Sequence, residues 1–322
     1  MKNDPNPLVS LVLTTYERPE LAKRAVDSMI AQTYENTEVI VIEDAGETTI
    51  HDWIKKNYGD INFIRHDQNQ GLAAARNTGL DVASGKYISY LDDDDEWLPS
   101  KTEKQVEKGE YLIPDRDLGV VYCGIKDHFE FESRTAIRLP ENEGLLRQEI
   151  MNKGARTLSS SCLFLRDALL NVDGYDELLP SSIDHDIWMK LAVHEYEVAS
   201  IKEPLVIKRH SHNREEITSN INVRIKGTKK YTEKWRSTYK DWFGPREGDN
   251  YANQYFADVV SRITVRKAFK LKLYDSATGL VALFSYKPFN PYNVYYLIKY
   301  CLIIGGSWFL PDPVKDTIRN YL

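Results

Sequence analysis

Residues 69–97 read NQGLAAARNTGLDVASGKYISYLDDDDEW, and this stretch decides the fold. Leu72, Ala75, Gly79, Leu80 and Ala83 recur at helical spacing on one face, and Ser84-Gly85 stops the pattern. Lys86–Leu91 (KYISYL) is then a strand, and it runs straight into four aspartates, Asp92 to Asp95. The same alternation extends upstream. Leu8–Thr14 (LVSLVLT) and Glu38–Ile42 (EVIVI) are apolar runs of strand length, the second unbroken enough for burial on both faces. Between them Arg18-Pro19-Glu20 opens a helix with Leu21, Ala22, Ala25, Val26, Met29 and Ile30 in one stripe. A helix around Ile50–Tyr58 and a short strand at Ile61–Arg65 complete the series. Such repetition predicts an α/β fold, a Rossmann-like, mostly parallel sheet flanked by helices, whose ligands sit beyond the carboxyl ends of the strands.

Further on, strand-like runs fall between Gly119 and Arg138 (VVYCGI, HFEFE) and at Thr157–Leu165, followed by a helix at about Asp186–Val193. Near residue 220 the character changes, and basic residues alternate with Tyr231, Trp235, Tyr239 and Trp242. The chain of 322 residues therefore reads as a first domain over 1–220, with halves at about 1–100 and 101–220, and a mainly helical region over 221–322. Composition bounds the rest. With 48 acidic and 42 basic residues the net charge is −6, which argues against a nucleic-acid binder that uses its whole surface and leaves room for a local basic patch. Three scattered cysteines, Cys123, Cys162 and Cys301, give neither a disulfide framework nor a structural zinc site and fit a reducing compartment. The polar, proline-bearing Met1–Pro7 does not read as a secretory leader.

The chemistry gathers at the strand ends: Thr14-Thr15-Tyr16 after the first, Glu43-Asp44 after the second, Asp92 to Asp95 after the later one. Adjacent carboxylates repel, more so when partly desolvated, unless a cation neutralises them. Oxygen ligands without cysteine or histidine suit Mn²⁺ or Mg²⁺, ions that bridge substrate phosphates. A solvated acidic turn is the ordinary explanation of such a run, but a buried-looking strand leads into this one. Neither a Gly-x-x-x-x-Gly-Lys loop nor a Gly-x-Gly-x-x-Gly turn follows the first strand, which counts against P-loop ATPases and dinucleotide-dependent oxidoreductases.

The segments VSLVLTTYERPELAKRAVDSMIAQTY, EVIVIEDA and NQGLAAARNTGLDVASGKYISYLDDDDEW resemble family 2 glycosyltransferases of the GT-A fold, over residues 8–100 closely and to about 220 more loosely. The resemblance implies transfer of one sugar, with inversion, from a nucleotide-diphosphate donor, a UDP-sugar being favoured. It places Thr14 and Tyr16 at the nucleotide end, Asp44 on the base and Arg76 near the donor. Asn77 and Gly79 fall in the same segment, where helix packing is an equal explanation. Asp92 and Asp93 match residues contacting ribose or metal-bound groups, and Asp94 matches the metal ligand of the Asp-x-Asp signature. Asp95 reads instead as a helix-opening residue. Where the family writes Asp-Asp-Gly-Ser, this chain has Glu43-Asp44-Ala45-Gly46.

In the second half, Ser181–Trp188 (SSIDHDIW) resembles the family's Glu-Asp-x-Asp-hydrophobic-Trp motif, so Asp184 falls on the catalytic base, with helix capping as the plain alternative. His210, or else His212, matches a late histidine that reaches the metal or the diphosphate. The resemblance implies a hydroxyl acceptor, on a glycan or a lipid-linked sugar; the Gln-x-x-Arg-Trp motif of the family's processive synthases is absent. Val294–Leu310 carries one charge, Lys299, but is short of a full span, and Arg262, Arg266, Lys267, Lys270 and Lys272 crowd the segment before it. Peripheral contact with the cytoplasmic membrane face and a packed C-terminal helix are both open readings, within a cytoplasmic setting. Two other functions stand against the transferase: a sugar-phosphate nucleotidyltransferase, disfavoured because Thr14–Arg18 has no glycine, and a non-catalytic, membrane-peripheral scaffold.

Overall fold

A computed structural model of the chain describes residues 6–59, 61–129, 134–153, 158–210, 220–269 and 272–301. The chain forms two compact units, Met1–Leu178 with Ile183–His212, and Leu179–Ser182 with Asn213–Leu322.

The first unit begins as β1 (Val9–Thr15), α1 (Pro19–Ile30), β2 (Thr37–Glu43), α2 (His51–Tyr58), β3 (Asn62–Arg65), α3 (Leu72–Val82) and β4 (Tyr87–Asp92). It continues as β5 (Asp95–Trp97), α4 (Lys101–Leu112), β6 (Leu118–Phe129), β7 (Arg134–Arg138), β8 (Gly144–Leu145), α5 (Leu146–Lys153), β9 (Cys162–Leu165), α6 (Arg166–Asn171), α7 (Ile183–Val193) and β10 (Glu197–His210). The main sheet runs β3-β2-β1-β4-β9-β6-β10-β5, with β7 on β6 and β8 on β10. From β3 to β4 every pairing is parallel; beyond β4 the sheet is mixed, with β9 antiparallel to both β4 and β6 and β10 parallel to β6.

Local chemistry explains the elements. Every residue of β1 is buried, as a central parallel strand covered on both faces requires. Pro19 sits in the first turn of α1, where its missing N–H costs nothing, and Ala22, Ala25, Val26 and Met29 form the buried stripe. Gly79 of α3 lies so close to β1 that a Cβ there would come within 2.5 Å of a Val12 methyl carbon. Packing thus explains that glycine. Asn77 is structural as well: it accepts from the Tyr175 N–H at 2.8 Å and donates to the Tyr175 carbonyl at 2.9 Å. The register sets Thr14 beside Asp92 and Thr15 beside Glu43, so three strand ends open at one edge.

Three expectations shift. The strand read at Thr157–Leu165 is shorter, a 3₁₀ turn at Ser159–Ser161 preceding β9. The helix read from Asp186 starts at Ile183, which puts Asp184 in its first turn. Asp95 opens no helix; it begins β5, antiparallel to β10 with Asp95 opposite Lys208.

The second unit is helical where it is described: α8 (Ile221–Phe243), α9 (Pro245–Phe269), α10 (Leu273–Tyr286) and α11 (Pro291–Tyr300). The side chains of Asn220 and Asn290 cap α8 and α11 by accepting backbone N–H groups of the first turn. Phe256, Ala257, Val260, Val265, Leu283, Tyr296 and Tyr300 form its core. Among the described residues no helix is long and apolar enough to cross a membrane. Lys270, His212 and the 302–310 part of the apolar C-terminal run lie outside the described residues.

Candidate active site

The site is organised by one arginine. Arg76, on α3, has no exposed surface, and its guanidinium forks between two carboxylates: Nη2 donates to Asp92 Oδ1 at 2.8 Å and Nη1 to Asp184 Oδ1 at 2.6 Å. The rings of Tyr175 and Tyr90 lie 5.2 and 5.9 Å from it. A planar, permanently charged fork suits this two-sided task as a lysine would not. Burial alone would lower the Arg76 pKa, but Asp184 and Asp92 raise it well above its ordinary value. Arg76, expected near the donor, forms a buried bridge between the end of β4 and the start of α7.

Asp184 also accepts a hydrogen bond from Ser159 Oγ at 2.5 Å, again on Oδ1. Burial pushes its carboxyl up, yet Arg76 and Ser159 outweigh it and leave the pKa below the usual carboxylate value. Among the described residues Oδ2 receives no hydrogen bond, and the side chain is 28% exposed. An ionised carboxylate with one oxygen anchored and the other accessible is the form a proton acceptor needs.

The four aspartates divide their work. Asp92, Asp94 and Asp95 present carboxylate oxygens within 4.8 Å of one another. Asp93 turns the other way, accepting from Thr15 Oγ1 at 2.9 Å and pairing with Arg18 at 3.2 Å. Burial raises the Asp93 pKa to about 6 and the Asp95 pKa to about 7, and that of Asp92 also rises. Among the described residues neither oxygen of buried Asp95 has a donor in hydrogen-bond geometry, the Ser160 hydroxyl and the Lys208 charge acting on it only from nearby. Buried, crowded carboxylates with unused lone pairs fit a hard divalent cation, whose charge would offset both the repulsion and the desolvation. His210 does not belong to that trio. It meets Asp127 Oδ1 through Nε2 at 2.7 Å and stacks on Phe129, ring centroids 4.6 Å apart.

At the far strand ends, Thr14 is buried with its hydroxyl unpartnered among the described residues, and Tyr16 is 44% exposed. Asp44 accepts the backbone N–H groups of Gln70 and Gly71, each at 2.8 Å, and meets His66 Nδ1 at 2.7 Å. It therefore fixes the loop that enters α3. Ala45, where the family has glycine, holds φ of +64°, a left-handed conformation that disfavours any side chain.

Sequence reasoning missed Ser159, Arg18 and His66. Arg18 was visible as the lone cation beside Pro19 in the first strand–helix loop; Ser159 and His66 left no signal without the register.

A mixed sheet flanked by helices, with an acidic trio at the ends of its parallel strands and a buried arginine joining them to Asp184, defines an α/β protein of GT-A type. The sequence pattern of Glycosyl transferase family 2 matches residues 10–172, and the chain belongs to that family. It is 31% identical over 223 residues to an uncharacterized glycosyltransferase of Methanocaldococcus jannaschii, covering 67% of this chain and 74% of the relative. An uncharacterized glycosyltransferase of Rickettsia bellii is 32% identical over 226 residues, 64% of this chain; the match spans only 30% of that longer relative. Among solved structures, TarS 1-349 of S. aureus with UDP-GlcNAc superposes with a TM-score of 0.60 at 18% identity, covering 97% of this chain and 89% of that one. The mannosyltransferase PcManGT of Pyrobaculum calidifontis, in complex with GDP-Man and Mn²⁺, gives 0.56 at 15% identity, with 92% and 88% covered. These two likenesses concern the fold.

Proposed function

We propose that the chain is a divalent-metal-dependent, inverting glycosyltransferase that moves a single sugar from a nucleotide-diphosphate donor, a UDP-sugar in the leading case, to a hydroxyl acceptor. The observation that carries the reading is the Arg76 fork, which ties the acidic trio to Asp184 through one buried cation. Asp92, Asp94 and Asp95 would hold Mn²⁺ or Mg²⁺, and the ion's chemistry is to neutralise charge on the departing diphosphate. The residues of the chain do the rest. Thr14 and Tyr16, with Asp44 behind the loop, take the nucleoside end; Asp93 and its partner Arg18 take the ribose and phosphate side.

Asp184 Oδ2 accepts the acceptor's hydroxyl proton as that oxygen bonds to the anomeric carbon and the carbon–oxygen bond to phosphate breaks on the opposite face. Arg76 keeps Asp184 ionised before the step. His210 is retained as a residue near the diphosphate only through its place at the end of β10, while its Asp127 and Phe129 contacts describe a held side chain. The relatives bearing glycosyltransferase names, and neighbours in complex with UDP-GlcNAc and with GDP-Man and Mn²⁺, support the donor class. We assign the acceptor to a glycan or lipid-linked sugar and the location to the cytoplasm, with peripheral membrane contact through the C-terminal region.

The test is nucleoside-diphosphate release from a panel of UDP- and GDP-sugars with and without Mn²⁺, with product anomers read by NMR. Asp184→Asn should lose turnover while still binding donor and metal. Full turnover by that variant, or pyrophosphate release from a nucleoside triphosphate, would overturn the reading.

A further inference from the structure

Among its described residues the second unit leaves a set of large apolar side chains exposed on two successive helices and the turn between them. On α10, Leu273, Tyr274, Leu280, Val281 and Phe284 recur at helical spacing on the face away from the core residue Leu283. On α11, Val294, Tyr295 and Ile298 do the same opposite Tyr296 and Tyr300, and Phe289 in the intervening turn is 99% exposed. Among the described residues each helix thus has two apolar faces, one packed on the core shared with α9 and one uncovered. Isolated exposed apolar side chains are ordinary, whereas a stripe along two successive helices marks a surface for something else.

Charge identifies what that is. Of the chain's 42 basic and 48 acidic residues, 17 and eight fall within 220–322, so this region carries +9 while residues 1–219 carry −15. Lys272 and Lys287 stand exposed at either end of α10, and the Lys299 ammonium lies 5.1 and 5.4 Å from the rings of Tyr296 and Tyr300. Apolar side chains flanked by lysines, with tyrosine and phenylalanine between them, combine insertion below the headgroups with attraction to anionic lipid. A second copy of the chain is the poorer occupant. A two-fold contact sets the same surface against itself, and here that brings positive against positive.

We propose that the exposed faces of α10 and α11 form an interfacial docking surface for an anionic lipid bilayer. The surface uses no residue of the active site, so it stands or falls apart from the catalytic reading.

The test is co-sedimentation of the full chain with phosphatidylcholine vesicles, with and without phosphatidylglycerol. Expected is binding that requires the anionic lipid, weakens as salt is raised, and drops at least about tenfold in a Val281→Asp, Phe289→Asp double variant, since losing one inserted side chain already approaches that factor. A Tyr274→Ser, Tyr295→Ser variant serves if the first melts early, and Asp184→Asn should bind vesicles like the parent. No partition into anionic vesicles, or equal partition by both apolar variants, overturns the proposal. Concentration-dependent dimerisation that the double variant dissolves, without vesicle binding, assigns the stripe to a second copy and overturns it too.

Discussion

Replacing Arg76 by methionine is the perturbation that separates this site from an ordinary acidic cleft. The substitution keeps side-chain bulk but removes a cation with no exposed surface that bonds Asp92 at 2.8 Å and Asp184 at 2.6 Å. Breaking a buried ion pair from one side costs about 3–5 kcal/mol, because the surviving carboxylates lose their compensation. The effect on catalysis has a definite sign. Arg76 holds the Asp184 pKa below its ordinary value against burial, so its loss lets burial and the neighbouring Asp92 push that pKa upward. The acid limb of the kcat/KM profile therefore moves to higher pH, and activity lost at neutral pH returns in part as pH is raised. Arg76→Lys, which keeps the charge but can serve only one partner well, should fall between. Urea unfolding at fixed pH gives the stability term, and nucleoside-diphosphate release across pH gives the profile. A methionine variant within about 1 kcal/mol of the parent, with its acid limb unmoved, would refute the bridge as the source of base ionisation.

Other substitutions test other parts. Asp94→Ala should weaken Mn²⁺ binding by calorimetry at least about tenfold, and unchanged affinity would remove Asp94 from the trio. Lys101 is fully buried against the Trp97 ring at 4.1 Å and Ser89 at 2.9 Å, and burial lowers its pKa from 10.5 to about 8. Between those two pH values the unfolded chain holds the proton and the folded one releases it, so stability rises with pH across that window. Lys101→Met should accordingly be more stable by up to about 3 kcal/mol at pH 7, the gain shrinking toward pH 10.5, as urea titrations at both ends would show. Ala45→Gly relieves a left-handed alanine and should add roughly 0.5–1 kcal/mol, measured by the shift in urea midpoint; a loss would mean that the Ala45 methyl matters more than its backbone.

Much of the first unit could be read in the chain because its parallel strands are buried on both faces. Burial of that kind writes β1, β2 and β4 as runs dominated by apolar and β-branched or aromatic residues. The acidic strand ends and Asp184 followed from topology and motif. What escaped was set by pairings remote in sequence. Asp95 looks like a helix opener until β5 is laid against β10 far downstream, which buries it opposite Lys208. Arg76 sits among alanines, and nothing in a single sequence says that its two carboxylates come from β4 and α7. Asp44 likewise spends its oxygens on the Gln70 and Gly71 amides, an arrangement visible only once the loop is folded.

Helix α3 has its entry clamped by Asp44 and, about two turns further along, Thr78 touching the same His66 that Asp44 holds, while Arg76 between them grips Asp184. Eleven residues of α-helix make a rod of about 16 Å, stiff enough to behave as a lever. Anything that moves the Asp44 end of the helix is thereby felt at Asp184 without a domain having to move. Damage at Asp44 and at Asp184 should then fail to add, each being a different grip on the same bar.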